Sequence, residues 1–309
     1  MTEFLRVLLL QGGHNTTVVM LGAAALGVAA GAVGVFAMLR RRALVSDAVA
    51  HATLPGVAGA FILAAAFGLP GRSPLILMAG AAVTAFISLM AVQHLARQPR
   101  VTEDTATAAV LASTFGLGVA LLSIVQSLST GGQAGLDAYL FGGTAGMLEQ
   151  EAYVMGALAV AVLVVLMVLF KELSAAAFDP SFALASGLPL ARLDAVVALL
   201  SLATVVVGLR VVGLVLIVAL LVIPPAAARF WSDRIGVVVL VSALIGAASA
   251  YTGAAISAVA PDVPTGATIV VVCAVFFVAS LAFGAARGLV VQLIGTRRSF
   301  AKGAAAAGR

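Results

Sequence analysis

Two residues near the start of the chain have side chains and a spacing that could hold a metal ion: Asp47 and His51. Four positions apart, they fall on one face of a helix, one turn above the other. A carboxylate and an imidazole form a nitrogen/oxygen ligand pair. That pair suits zinc, manganese or ferrous iron and suits cuprous copper poorly. His51 lies nine residues beyond Arg42, roughly 13–14 Å along a helix at about 1.5 Å per residue. If the run Arg40-Arg41-Arg42 marks the edge of an apolar layer, the imidazole stands near the middle of that layer. An ionisable pair at such depth is a functional candidate. Pro55 has no backbone donor, so the His51 carbonyl loses its helical partner. A freed carbonyl inside a membrane is expected where it lines a cavity. The alternative is that Asp47 caps the start of the helix and His51 only satisfies Asp47.

Two further stretches stand out. Phe178-Asp179-Pro180-Ser181-Phe182-Ala183 runs on to Gly187-Leu188-Pro189. Asp-Pro opens a helix well and the Gly187-to-Pro189 segment stops it. The pattern predicts a short amphipathic helix over 178–189 on the cytoplasmic surface, serving either as a connection or as a docking helix for a cytoplasmic partner. Pro224 and Pro225 kink another apolar run close to its cytoplasmic end, as a gate hinge or as a fixed bend. His14 and His94 have no metal-like spacing to a second ligand. Neither Lys171 nor Lys302 follows a glycine, so no Gly-Lys-Ser/Thr phosphate loop is present. His-Glu-x-x-His and Gly-x-Ser-x-Gly are also absent, and hydrolase readings lose their support. The single cysteine, Cys273, sits in an apolar run and reads as a packing residue.

The elements that must position these groups are legible in the composition. Of 309 residues, 63% are hydrophobic and 9% charged, against about 25% charged in a soluble domain. Mean hydropathy is +1.20. The expectation is an all-α polytopic membrane bundle of 8–9 crossings. Apolar runs of about 20 residues, enough for ~30 Å of hydrocarbon, occur at 17–39, 48–69, 73–95, 105–127, 152–171, 192–209, 211–228, 235–257 and 263–285. The sixth and seventh form one stretch broken only by Arg210. A single helix of that length would reach ~50 Å, so a tight hairpin with Arg210 near its turn is expected. With Arg40–Arg42 placed in the cytoplasm, 14 of the 17 Lys and Arg fall inside and only Arg6, Arg72 and Arg210 outside. This count sets the orientation: an outer segment 1–16, a membrane domain 17–285 and a cytoplasmic tail 286–309. Its arginines lie at segment ends, which points to topology and not to nucleic acid.

With these residues in view, the chain resembles the permease subunit of the ABC-importer family for zinc, manganese or iron. The resemblance runs from about Gly22 to Gly284. It rests on Gly34 through Gly56 with Asp47, His51 and Pro55, on Phe178-Asp179-Pro180 with Ala183 and Gly187, on Val212-Gly213 with Pro224 and Ala228, and on Pro264-Thr265-Gly266-Ala267. It departs at Ala50, where a serine is common. The resemblance implies a type II importer fold and alternating access in a membrane homodimer. It assigns the transported metal to Asp47 and His51, a path or gate to Pro55, Pro224 and Pro225, and ATPase coupling to Phe178, Asp179, Pro180, Ala183 and Gly187. It also implies a cytoplasmic ABC ATPase, an extracytoplasmic metal-binding protein, a bacterial cytoplasmic membrane, no permanent cofactor and no enzymatic activity in this chain. The rivals are a permease for iron-siderophore or cobalamin, an ion-coupled secondary metal carrier, and a membrane scaffold.

Overall fold

A computed structural model of the chain describes residues 2–40, 42–68, 73–127, 146–260 and 263–290. The expectations that fall on Arg41, Arg72 and the tail from 291 onward lie outside the described residues. Among the described residues eleven helices follow in order: α1 (Thr2–Leu8), α2 (His14–Leu39), α3 (Ala43–Ala66), α4 (Pro74–Leu95), α5 (Glu103–Ser127), α6 (Glu149–Val168), α7 (Phe170–Phe178), α8 (Pro180–Ala185), α9 (Leu190–Ala228), α10 (Ile235–Val259) and α11 (Thr265–Phe283). Among the described residues, eight helical segments are long and apolar enough to cross a membrane. A ninth, Val212–Ala228, is shorter. The apolar runs forced these helices, because inside hydrocarbon each backbone polar group must be satisfied within its own segment.

Helix α2 is the mast of one group. Small residues let its neighbours approach backbone to backbone. A Cβ on Gly27 would run into the carbonyl of Gly246 in α10, and one on Gly31 would stand 2.6 Å from the Ser242 oxygen. Ser242 Oγ donates to the Gly31 carbonyl at 2.7 Å and fixes the crossing. Helices α6 and α9 also pack on α2, and α11 packs on α9 and α10. Helices α3, α4 and α5 form the second group. Gly56 of α3 and Gly80 of α4 face each other, while Gly118 of α5 lies against Leu54 and Pro55 of α3. Direct packing between α2 and α3 is slight, and α9 is the element that touches both groups.

The expected hairpin is present inside α9. Gly213 has φ 78° and ψ 168°, a conformation open to glycine alone among ordinary residues. Asp194 lies level with Arg40, Gly208 is beside Leu26 and folds back on Ile217, and Leu221 and Pro225 return to Gly34. The two arms are therefore antiparallel. From Asp194 to Gly213 is about 28 Å of helix, whereas α2 measures about 39 Å. The turn consequently stops roughly 10 Å short of the N-terminal end of α2. Non-helical backbone at that depth must be covered by protein. Val7 of α1 joins the buried cluster that contains Leu209, Val212 and Leu214, and Tyr251 Oη ties α1 down by donating to the Leu8 carbonyl at 2.6 Å.

Candidate metal centre

Helix α3 begins at Ala43 with Arg42 in the cap position, five residues earlier than the apolar run from 48 suggests. Asp47 is thus a whole turn inside the helix, and the capping explanation for it fails. His51 is the ninth residue of α3, about 12 Å from its start, in the half of the span nearer the arginine-marked end. Asp47 Oδ1 and His51 Nε2 are 3.5 Å apart, with side chains 29% and 25% exposed. That separation is too long for a strong hydrogen bond. A tetrahedral ion bonded at about 2.0–2.2 Å to one oxygen and one nitrogen would hold them roughly 3.3–3.5 Å apart. The imidazole stands edge-to-face on Phe115 of α5, with centroids 5.2 Å apart and planes at 86°. Its Nδ1 is buried without a hydrogen-bond partner. Pro55, one turn further on, is buried against Gly118 of α5, so α5 closes over the face that carries the freed His51 carbonyl. Among the described residues no three His, Cys, Asp or Glu side chains stand together. One chain therefore supplies two ligands at this point.

The second predicted stretch forms an elbow. Helix α7 ends at Phe178 and α8 spans only Pro180–Ala185, shorter than the helix expected over 178–189. Proline opens α8, and Asp179 caps it by accepting the Phe182 N–H at 3.0 Å and the Ser181 hydroxyl at 2.8 Å. The same two bonds, the backbone one first, hold the Asp179 carboxyl below its ordinary range. Gly187 ends the elbow at φ 80°, the left-handed stop that glycine supplies. Ala183 is fully buried, while Phe178 is 88% exposed and Phe182 and Leu184 are exposed beside it. An apolar knob thus projects from the same end of the bundle as Arg40.

Pro224 and Pro225 lie near the end of the second arm of α9, and both are buried. Pro225 leaves the Leu221 carbonyl without its helical donor. Gly34 of α2 presses against both that carbonyl and the Pro225 ring. His14, placed in the outer segment without a ligand partner, pairs with Glu149 at the start of α6.

Asp194 is the group that sequence reasoning passed over. It is 9% exposed and receives a two-pronged bond from Arg40, Nε to Oδ1 at 2.7 Å and Nη2 to Oδ2 at 2.8 Å. Arg42 Nη2 reaches the same carboxylate at 3.3 Å, and Arg42 Nε reaches Glu103 at 2.9 Å. A signal existed, since Asp194 is the sole acid between Asp179 and Asp233.

Residues 14–284 match the ABC 3 transport family. The manganese transport system membrane protein MntC of Bacillus subtilis is 33% identical over 280 residues, 91% of this chain and 63% of that protein, so the chain spans less than two thirds of that relative. The zinc transport system membrane protein TroC of Treponema pallidum is 34% identical over 280 residues, 91% of this chain and 92% of that one. PsaBC from Streptococcus pneumoniae, solved in complex with Fab, is similar at a TM-score of 0.77 and 27% identity, covering 93% of this chain and 97% of that chain. A transporter described as metal-chelate type, in an inward-facing conformation, is similar at TM-score 0.65 and 18% identity over 85% of this chain and 84% of that one. At that identity the likeness speaks for the fold alone.

Proposed function

The chain belongs to the ABC 3 transport family, and from that premise we propose that it is the membrane permease of an ATP-driven importer for a divalent transition-metal ion. The cargo is zinc, manganese or ferrous iron. The observation that carries the reading is the Asp47–His51 pair, held at ligand separation inside the membrane by a helix that buries almost everything around it. The names of the manganese and zinc relatives agree with that cargo. ATP hydrolysis belongs to a separate cytoplasmic ATPase docked on Phe178, Phe182 and Leu184. An extracytoplasmic metal-binding protein delivers the ion at the outer face. The setting is the bacterial cytoplasmic membrane, and the chain itself is a transport subunit with no catalysis of its own.

Two ligands per chain do not complete a metal site, and both side chains are partly exposed. A second copy across a two-fold axis would bring four ligands, with two carboxylates to offset the desolvation of a dication. The face of α5 beside His51 suits such a seam. Ala108, Ala112, Gly116 and Ala120 form one exposed row at helical spacing, and nothing in the chain stands within 4 Å of a Cβ at Gly116. Incomplete coordination serves transport, because the ion must leave again. Pro224 and Pro225, both buried and the second pressed on Gly34 of α2, act in this reading as a fixed bend and not as a hinge.

The chelate-permease rival needs a wide path and gives no role to an intramembrane Asp–His pair. The ion-coupled carrier needs a second mobile acid inside the membrane. Asp194, the buried acid among the described residues, is held by two arginines. The test is uptake of manganese and zinc by metal-starved cells carrying Asp47→Ala or His51→Ala, with assembly of the ATPase complex checked in parallel. At least a tenfold fall in uptake with assembly intact is expected. Undiminished uptake in both variants would reject the site.

A further inference from the structure

The three arginines after α2 set the topology, but the structure gives two of them a second task. Arg40 reaches across to Asp194, 154 residues away, with both hydrogen bonds of a forked pair, and its remaining Nη1 donates to the Ala176 carbonyl at 2.8 Å. Ala176 lies two residues before the end of α7, and Asp194 lies four residues into α9. Arg40 therefore grips both the entrance and the exit of the α7–α8 elbow. The Arg40 and Asp194 side chains are only 14% and 11% exposed. At that burial a forked guanidinium–carboxylate pair is geometrically demanding and costly to leave half-broken.

Asp194 does not stop at Arg40. Its Oδ2 also meets Arg42, the cap of α3, and Arg42 in turn meets Glu103, the first residue of α5. The chain of contacts thus runs from the elbow through Asp194 to the starts of the two helices that hold His51 between them. Beside this chain lies a cavity of about 490 Å³, lined by Arg40, Arg42, Ser46, Gln93, Asp194 and Ser201. Direct packing between α2 and α3 is slight. The α3–α4–α5 group therefore has space next to it and meets α2 little, and its apolar contact at this end is with α9, where Ala198 and Leu202 pack on the cluster of Val45, Val49, Leu89 and Val92. Beside that packing, the ion pairs tie the group to Arg40 of α2 and to the elbow.

We propose that Asp194 and Arg42 are the linkage through which movement of the α7–α8 elbow is passed to α3 and α5, and so to the Asp47–His51 pair. Asp194 is a positioning residue: it touches no cargo and acts through Arg42. The inference rests on the transport reading above for its consequence, but the mechanical link stands on the ion pairs themselves.

The discriminating variant is Arg42→Gln. It cuts the arm toward α3 and leaves Asp194 paired with Arg40, so the elbow keeps its anchor. Asp194→Asn removes the whole junction, and Asp194→Glu keeps the charge as a conservative control. In vesicles holding the permease with its ATPase, manganese uptake per ATP hydrolysed is expected to fall at least tenfold in Arg42→Gln and Asp194→Asn. ATP hydrolysis should stay within about twofold, and Asp194→Glu should stay near wild type. Uptake per ATP within twofold of wild type in Arg42→Gln overturns the proposal. A parallel arm needs no cargo: amide hydrogen exchange on the purified full-length permease. Arg42→Gln should raise exchange at the first turns of α3 and leave α7–α8 unchanged, whereas Asp194→Asn should raise both. Wild-type exchange at α3 in both variants also overturns the link. A wild-type protein that moves no manganese, zinc or iron, yet shows this exchange pattern, would sink the transport reading and leave the linkage standing.

Discussion

Asp47 and His51 differ from an ordinary buried ion pair in that their atoms stop 3.5 Å apart and the far nitrogen of the ring has no partner. A pair selected only for stability would close that gap, because an unpaired buried polar atom costs about 1–3 kcal/mol. Direct contact with the cargo predicts a change in metal preference and not only in rate. Asp47→Cys offers a thiolate, which favours zinc over manganese. The ratio of zinc to manganese uptake should rise about tenfold, and an unchanged ratio in a variant that still transports would mean that Asp47 does not touch the ion. Asp179 supports a prediction of the opposite kind. Its carboxyl titrates below the ordinary range because the charged form accepts the Phe182 N–H and the Ser181 hydroxyl. The cap is therefore fully present above the unfolded value near 4 and is lost only as pH falls through the lower folded value. Amide exchange of α8, corrected for its intrinsic rate, should be flat between pH 5 and 8 in the native protein. Asp179→Ala should raise it throughout that range.

At the scale of helices, glycine contacts divide sharply into those that bear load and those that do not. A methyl group on Gly34 would enter the Leu221 carbonyl, and one on Gly27 the Gly246 carbonyl, whereas Gly156 faces open space. Gly34→Ala and Gly27→Ala should destabilise by about 1–3 kcal/mol through forced separation of helices, read as a lower midpoint of thermal unfolding in detergent. Gly156→Ala should be neutral or slightly stabilising. The crossings themselves were plain in the chain, since an apolar run of about 20 residues has few other folds open to it. The start of α3 was not, because Arg42 to Asp47 reads as polar edge while the helix already runs through it. The elbow was visible as Asp179-Pro180 and Gly187, each with its own local chemistry, but its division into α7 and α8 was not. Asp194 escaped for a different reason. Its partner is 154 residues away, and no local period records a contact of that range.

Seen whole, the molecule is two helix groups joined by α9, with the candidate ligands on the smaller group and the α7–α8 elbow on the larger. A two-fold pairing along α5 would place that smaller group at the centre of the assembly. Gly116→Leu should then shift the purified protein from dimer toward monomer while leaving its helix content unchanged, as read by light scattering and circular dichroism. An unaltered dimer would move the seam to another face. The turn of α9, stopping short of the outer boundary at Gly213, has a consequence for how the chain is made. During synthesis Leu190 to Ala228 emerges as one long apolar stretch, and the insertion machinery can take it as a single span. Every later segment would then thread in reverse, with Arg229, Arg234 and Arg287 delivered to the wrong side, against their charge preference. Correct biogenesis thus requires the two arms to enter as one folded unit. A residue other than glycine at 213 would register first as inverted chains cleared by quality-control proteases, before any change in the transport rate of the molecules that survive.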